Sequence, residues 1–139
     1  MRVLALDIGD KTIGVAASDP FGWTAQGVET IQRTSNKNDL RRLRELVAQF
    51  DAEILVIGLP KNMDGTEGER CEFVKSFAAK ISAALPHIEQ NFWDERLSTV
   101  AATRTLVEAD LSRKKRKKVI DKMAAVYILQ GFLDSRRTN

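Results

Sequence analysis

Apolar and polar positions follow two different periods along this chain, and the changes of period mark out its elements. Val3-Leu4-Ala5-Leu6 is an unbroken apolar run, as expected of a strand covered on both faces. Gly9-Asp10-Lys11 supplies a turn, and Ile13-Gly14-Val15-Ala16-Ala17 returns as a second strand, so the opening reads as a hairpin. Pro20-Phe21-Gly22 turns the chain again before a third strand around Thr24 to Ile31. The period then becomes helical. Leu40, Leu43, Val47 and Phe50 form one stripe, with Asn38 or Asp39 as its cap. Glu53 to Gly58 reads as another buried strand, closed by Leu59-Pro60, and Phe73, Phe77, Ile81 and Leu85 mark a helix that Pro86 ends. Ile88 to Trp93 reads as a half-exposed strand, and Leu97 to Val107 as a helix with a weaker stripe. A last helix is expected from Val119 to about Leu133, where Ile120, Met123, Ala124, Tyr127 and Ile128 keep helical spacing.

Two strand–helix–strand units require parallel strands with right-handed crossovers, and the opening meander supplies antiparallel ones. The expected architecture is α/β, one mixed five-stranded sheet with helices on its faces. At 139 residues the chain has room for one domain, spanning 1–139. Hydrophobic residues make up 43%, enough for a core without staples. Charged residues make up 29% and no apolar run is long enough to span a bilayer, so no membrane association is expected. The initial apolar run is also too short for a secretory signal. A single cysteine, Cys71, suits a reducing, cytoplasmic setting. With one Cys and one His, His87, a zinc site is excluded, and any bound metal would be Mg²⁺ or Mn²⁺ held by carboxylates.

The formal charge of +3 matters less than its distribution. Arg113-Lys114-Lys115-Arg116-Lys117-Lys118 is an unbroken run of cations, and Arg136-Arg137 adds a second cluster. Such a block reads either as a solvated loop or as a mobile segment that contacts a polyanion. Its place just ahead of a helix bearing a candidate acid favours nucleic acid.

Asp7 leaves the first buried strand at the edge where ligands bind in α/β folds. It could equally accept backbone N–H groups in the turn, and the Asp-x-Gly motif alone leaves both readings open. Gly9 leaves room for a phosphate or metal to approach the backbone, and Lys11 shares that turn, so both are candidate substrate contacts. Asp94-Glu95 leaves the last strand in the same manner, and adjacent acids there point to opposite sides. Asp94 or Ser98 would cap the next helix, which makes Glu95 the better metal ligand and Asp94 the reserve. Arg96 suits either a carboxylate or a phosphate. Asp121 begins the last helix ahead of Ala124 and Ala125, whose small side chains let that helix approach the sheet. Asp7, Glu95 and Asp121 could thus converge on one or two metal ions and activate water against a phosphodiester. Lys61 and Asn62, in the loop after Pro60, are candidate contacts to phosphate or base edges, as are Arg113, Lys114, Lys115 and Arg116. His87, in a Pro-His turn, reads as structural.

Four stretches in series resemble one family: Ala5 to Ala16 (ALDIGDKTIGVA), Val56 to Gly65 (VIGLPKNMDG), Asp94 to Thr99 (DERLST) and Asp121 to Ala125 (DKMAA). They are similar to the YqgF-type, Holliday-junction-resolvase-like proteins also described as pre-16S ribosomal RNA nucleases. The resemblance implies a ribonuclease-H-like fold and divalent-metal phosphodiester hydrolysis in 5′-end maturation of small-subunit ribosomal RNA. It carries Asp7, Glu95 and Asp121 over as catalytic acids and places the basic run in a variable, mobile loop. Precursor ribosomal RNA or branched DNA is the implied substrate, with ribosomal particles as a further partner, and the expected assembly is a monomer or a homodimer. Two rivals stand beside it. One is an ATP-binding domain of the sugar-kinase and actin type, which the single lobe and single Asp-x-Gly disfavour. The other is a nucleic-acid-binding transcription or ribosome-assembly factor without catalysis, which would have no use for clustered acids beside a polyanion.

Overall fold

The computed structural model describes residues 1–97 and 113–137, and for 113–122 the backbone alone. Three strands open the chain: β1 (Arg2–Ile8), β2 (Thr12–Ser18) and β3 (Ala25–Gln32). Helix α1 (Asn36–Phe50), strand β4 (Ala52–Leu59), helix α2 (Glu69–Ala84) and strand β5 (Glu89–Asp94) follow, and then a 3-10 turn at Glu95–Leu97. A long helix, α3 (Arg113–Arg137), ends the described chain. The strands form one sheet in the order β3-β2-β1-β4-β5. β2 runs antiparallel to β1 and β3, whereas β4 runs parallel to β1 and β5. The mixed sheet expected from the pattern is present, and the C-terminal ends of β1, β4 and β5 open on one edge.

Helices cover both faces of the sheet, which is why β1 reads as a continuous apolar run. Leu4, Leu6 and Ile8 join Ile13, Val15, Leu55 and Ile57 in a core closed by Leu43 and Leu46 of α1 and Val74, Phe77 and Ile81 of α2. Val3 and Ala5 join Ala16, Ile54 and Val56 in a second core against Ala124, Ala125, Ile128 and Leu129 of α3. The alanines on both sides of this second interface let α3 lie close to the sheet. Strand alternation then puts Asp7, two residues beyond Ala5, on the α3 face.

Two expectations are corrected. The cap of α1 is Ser35, whose side chain accepts from the Asn38 N–H at 3.1 Å, and not Asn38 or Asp39. Such a cap contributes about 1 kcal/mol. Asp39 instead turns inward, because it stands four residues before Leu43 on the buried stripe. The last helix begins at Arg113, so the basic run is helical and not a loop. Lys and Arg are good helix formers, and the helix therefore starts before the apolar spacing that betrays it. The helix expected over 97–107 lies outside the described residues, apart from Leu97 in the 3-10 turn. No described helix is long and apolar enough to cross a membrane.

Candidate active site

Asp7 is 9% exposed and sits between two strand glycines. Gly14 of β2 is its register partner. On the β4 side Leu6 faces Ile57, so the next residues in that register are Asp7 and Gly58. A methyl group on Gly58 would lie 2.4 Å from Ile128 Cδ1 and 3.3 Å from Glu95 Cγ. Glu95 therefore folds back over Gly58, and both acids border this one residue on the α3 face. A branched side chain here would force Ile128 and Glu95 aside, at a cost of about 1–3 kcal/mol for overpacking. If Asp7 and Glu95 are the catalytic acids that the sequence resemblance implies, Gly58→Val is expected to lower cleavage by about a hundredfold, because small misplacements of catalytic groups act that strongly. Single-turnover kinetics beside a thermal melt would separate this loss from unfolding.

Asp94 takes the opposite face, paired in register with Leu59 of the α1–α2 core. Arg96 grips it. Its Nε donates to the two carboxylate oxygens at 3.1 and 3.0 Å, its Nη2 at 2.6 Å and its backbone N–H at 3.0 Å. This fork is the main reason the Asp94 carboxyl titrates below its ordinary value of 3.8. A lowered pKa means the clamp contributes above the ordinary carboxylate range and is lost only as pH falls through the lowered value. Of the two roles open to Arg96, the structure thus shows it orienting a carboxylate. The guanidinium also reaches the Met63 carbonyl at 3.4 Å and lies 3.4 Å from where a Cβ on Gly65 would sit. With Asp94 held by Arg96, the neighbouring Glu95 is the acid that turns toward Gly58.

The loop between β4 and α2 rises at the same edge and is bonded internally. Asn62 accepts from the Gly65 N–H at 2.9 Å, and its Nδ2 donates to Thr66 Oγ1 at 2.9 Å. Lys61 stands 3.9 Å from Glu67. Asn62 is thus committed to the loop's shape, and Lys61 is the freer of the two for a substrate. Gly9 closes the β1–β2 hairpin with an N–H bond to the Thr12 carbonyl at 2.8 Å, and a Cβ there would lie 3.1 Å from that oxygen. The exposed side chain of Lys11 faces solvent in this turn, while Asp10 pairs with Arg70 at 2.8 Å.

The support beneath this hairpin escaped the sequence reading. Arg33 Nη1 donates to the Gly9 carbonyl at 2.9 Å, and the Arg33 N–H donates to the Lys11 carbonyl at 2.8 Å. Its Nε bonds to Asp39 at 2.9 Å, and its guanidinium lies 4.4 Å from the Phe77 ring centre. The signal was available: Asp39 falls on the apolar stripe of α1, and an acid there needs a buried cation.

The side chains of Asp121, Arg113, Lys114, Lys115 and Arg116 lie outside the described residues. Among the described residues no group of three His, Cys, Asp or Glu side chains is placed to hold a metal. The donor set at Gly58 is oxygen only. Burial raises the pKa of the Cys71 thiol, which lies on the buried face of α2, and His87 is exposed in the turn entering β5, at the other end of that strand from Asp94 and Glu95. Carboxylates alone fit a hard divalent cation such as Mg²⁺ or Mn²⁺.

The family model described as "RuvX: Holliday junction resolvase" matches residues 1–135. The chain belongs to the RuvX family. Relatives named "Putative pre-16S rRNA nuclease" include one from Clostridium beijerinckii, 54% identical over 134 residues and 96% of each chain. Another, from Clostridium botulinum strain Hall, is 56% identical over 135 residues, 97% of this chain and 98% of its own. Among solved structures, Thermus thermophilus RuvC in complex with a Holliday junction shares the fold with a TM-score of 0.63 at 12% identity, covering 100% and 97% of the two chains. The fowlpox virus Holliday junction resolvase does so with a TM-score of 0.54 at 14% identity, covering 98% and 99%. The sheet is therefore ribonuclease-H-like, as the resemblance implied, and this RuvX member is a hydrolytic nuclease. That sets aside the sugar-kinase reading and the purely binding one.

Proposed function

We propose that this nuclease matures the 5′ end of precursor 16S ribosomal RNA in the cytoplasm, using Mg²⁺ or Mn²⁺ held by Asp7, Glu95 and Asp121. The observation that supports the site is that the β1–β4 register brings Asp7 beside Gly58 while Glu95 packs over Gly58, with Asp94 on the other face. Asp121 stands seven residues before Ile128, the residue that touches Gly58, and helical periodicity puts the two positions on one face of α3. The names of relatives at 54–56% identity over nearly the whole chain favour ribosomal RNA as substrate.

When bound, the metal would supply an activated water and charge stabilisation at the scissile phosphate. The chain supplies the rest. The sheet fixes Asp7, the Asp94–Arg96 clamp aims Glu95, and the Arg33 contacts hold the turn after Asp7. Lys61 and Lys11 flank the edge where a phosphate backbone would approach, and the basic start of α3 adds positive charge. Replacing Arg113 to Lys118 by neutral residues is expected to flatten the slope of log K against log salt by several units. An unchanged slope would mean the run does not touch phosphate.

The family description also names Holliday junctions, so the deciding experiment uses both substrates. Precursor 16S RNA and a four-way DNA junction are incubated separately with the pure protein, with and without Mn²⁺. Metal-dependent cleavage at the RNA 5′ region supports the proposal. Cleavage of the junction alone would replace it.

A further inference from the structure

We propose that Phe21 and Trp23 form a stacking platform for a single-stranded stretch of the nucleic-acid substrate, at the end of the sheet opposite the acids. β1 separates the two ends, and its seven residues span about 20 Å. The β2–β3 turn exposes Phe21 by 80% and Trp23 by 61%. Neither ring contributes much to the core, yet the turn that carries them is firmly held. The Trp23 N–H donates to Asp19 Oδ1 at 2.7 Å, and the Gly22 N–H to the Asp19 carbonyl at 3.0 Å. From α3, Gln130 accepts the Ala25 N–H at 3.0 Å and donates to the Trp23 carbonyl at 3.2 Å. Arg137 Nη1 donates to the same carbonyl at 3.2 Å, and its guanidinium lies 6.0 Å from the Trp23 ring centre. The backbone that carries the rings is thus held in place, so less ordering entropy would be lost when a partner stacks on them than on a loose loop.

Charge selects the partner. The last turn of α3 presents Arg136, which makes no ion pair among the described residues, and Arg137, whose charge Asp134 offsets. Asp19 closes the turn, and Asp134 accepts from Gln130 at 3.0 Å and pairs with Arg137. Cations beside flat exposed rings suit a polyanion that carries flat bases, and base–aromatic stacking is worth about 1–3 kcal/mol per base. A protein partner fits less well. The two rings expose on the order of 300 Å² together, against about 800 Å² per partner in a specific protein interface. Helix α3 also links the two ends of the molecule, with the basic run at its start and this cluster at its close. The inference rests on nucleic acid being the substrate, whether RNA or DNA.

The test is fluorescence anisotropy with labelled RNA hairpins that carry single-stranded flanks of about four or about twelve nucleotides. The wild-type protein is expected to bind the longer flank about tenfold more tightly. In the Phe21→Ala/Trp23→Ala double variant that ratio should fall toward one, with an unchanged thermal melt because both rings are exposed. In a Trp93→Phe background, emission from Trp23 should be quenched by the long-flank RNA and not by the short. No flank preference in the wild type, or the same preference in the variant, overturns the proposal. So does a concentration-dependent change in molecular size that the double variant abolishes, which would assign the rings to a second copy of this chain. The readout is a ratio of affinities, so a failure of precursor cleavage in the assay above is a separate result.

Discussion

Asp7→Asn is expected to lower phosphodiester cleavage by about a hundredfold to a thousandfold, the loss typical of removing one electrostatic stabiliser from a catalytic site. The reason lies in its surroundings. Asp7 is buried at the end of a strand that helices cover on both faces, and its strand neighbours are glycines. The amide is almost isosteric with the carboxylate, so the strand and its register should persist and the far-ultraviolet spectrum should match the wild type. What would be lost, on the proposed assignment, is a negative oxygen donor for a divalent cation. Rates measured at saturating Mn²⁺ on precursor RNA would show the effect. Cleavage within threefold of wild type would remove Asp7 from the chemistry and return it to turn-forming duty.

Asp39→Ala should give the largest loss of stability, about 3 kcal/mol in urea denaturation, the lower end of the range for breaking a buried ion pair from one side. The side chains of Arg33 and Asp39 are only 11% and 3% exposed. Truncating the acid leaves a guanidinium buried among Phe73 and Phe77 with its strongest partner gone. The melting temperature should fall by about 10 °C for a chain of this size. Because the same guanidinium bonds to the Gly9 carbonyl, the hairpin after Asp7 should loosen too. A loss below about 1 kcal/mol would place the pair with ordinary surface salt bridges.

The sequence carried most of the fold because its helices and strands differ in period. Continuous apolar runs at Val3–Leu6 and Ile54–Ile57 identified the doubly covered strands, and Leu43 and Ile81 identified helix faces that pack on them. Where the pattern misled, charge was the cause. The helical start of α3 is hidden because Arg113 to Lys118 have no apolar spacing at all. The cap of α1 was misplaced because Asn38 and Asp39 are both good cap residues, and only burial shows that Asp39 has another partner. At the site, the sequence named Asp94 and Glu95 but could only rank them. Their separation depends on Leu59 and Gly58 in a neighbouring strand, and on which face of the sheet Arg96 reaches. These are tertiary facts, invisible to local spacing. The Arg33 contacts are hidden for the same reason, since they join the residue just after β3 to a turn formed more than twenty residues earlier.

On the proposed assignment Asp7, Glu95 and Asp121, and not Asp94, hold the divalent cation. Mn²⁺ binding, followed by loss of the free-ion electron paramagnetic resonance signal, tests it directly on the wild type and on four single variants. Asp7→Asn, Glu95→Gln and Asp121→Asn should each weaken Mn²⁺ binding by about tenfold or more, while Asp94→Asn should change it by less than about threefold. Wild-type affinity in Asp121→Asn, or a loss in Asp94→Asn that matches Glu95→Gln, would contradict the assignment.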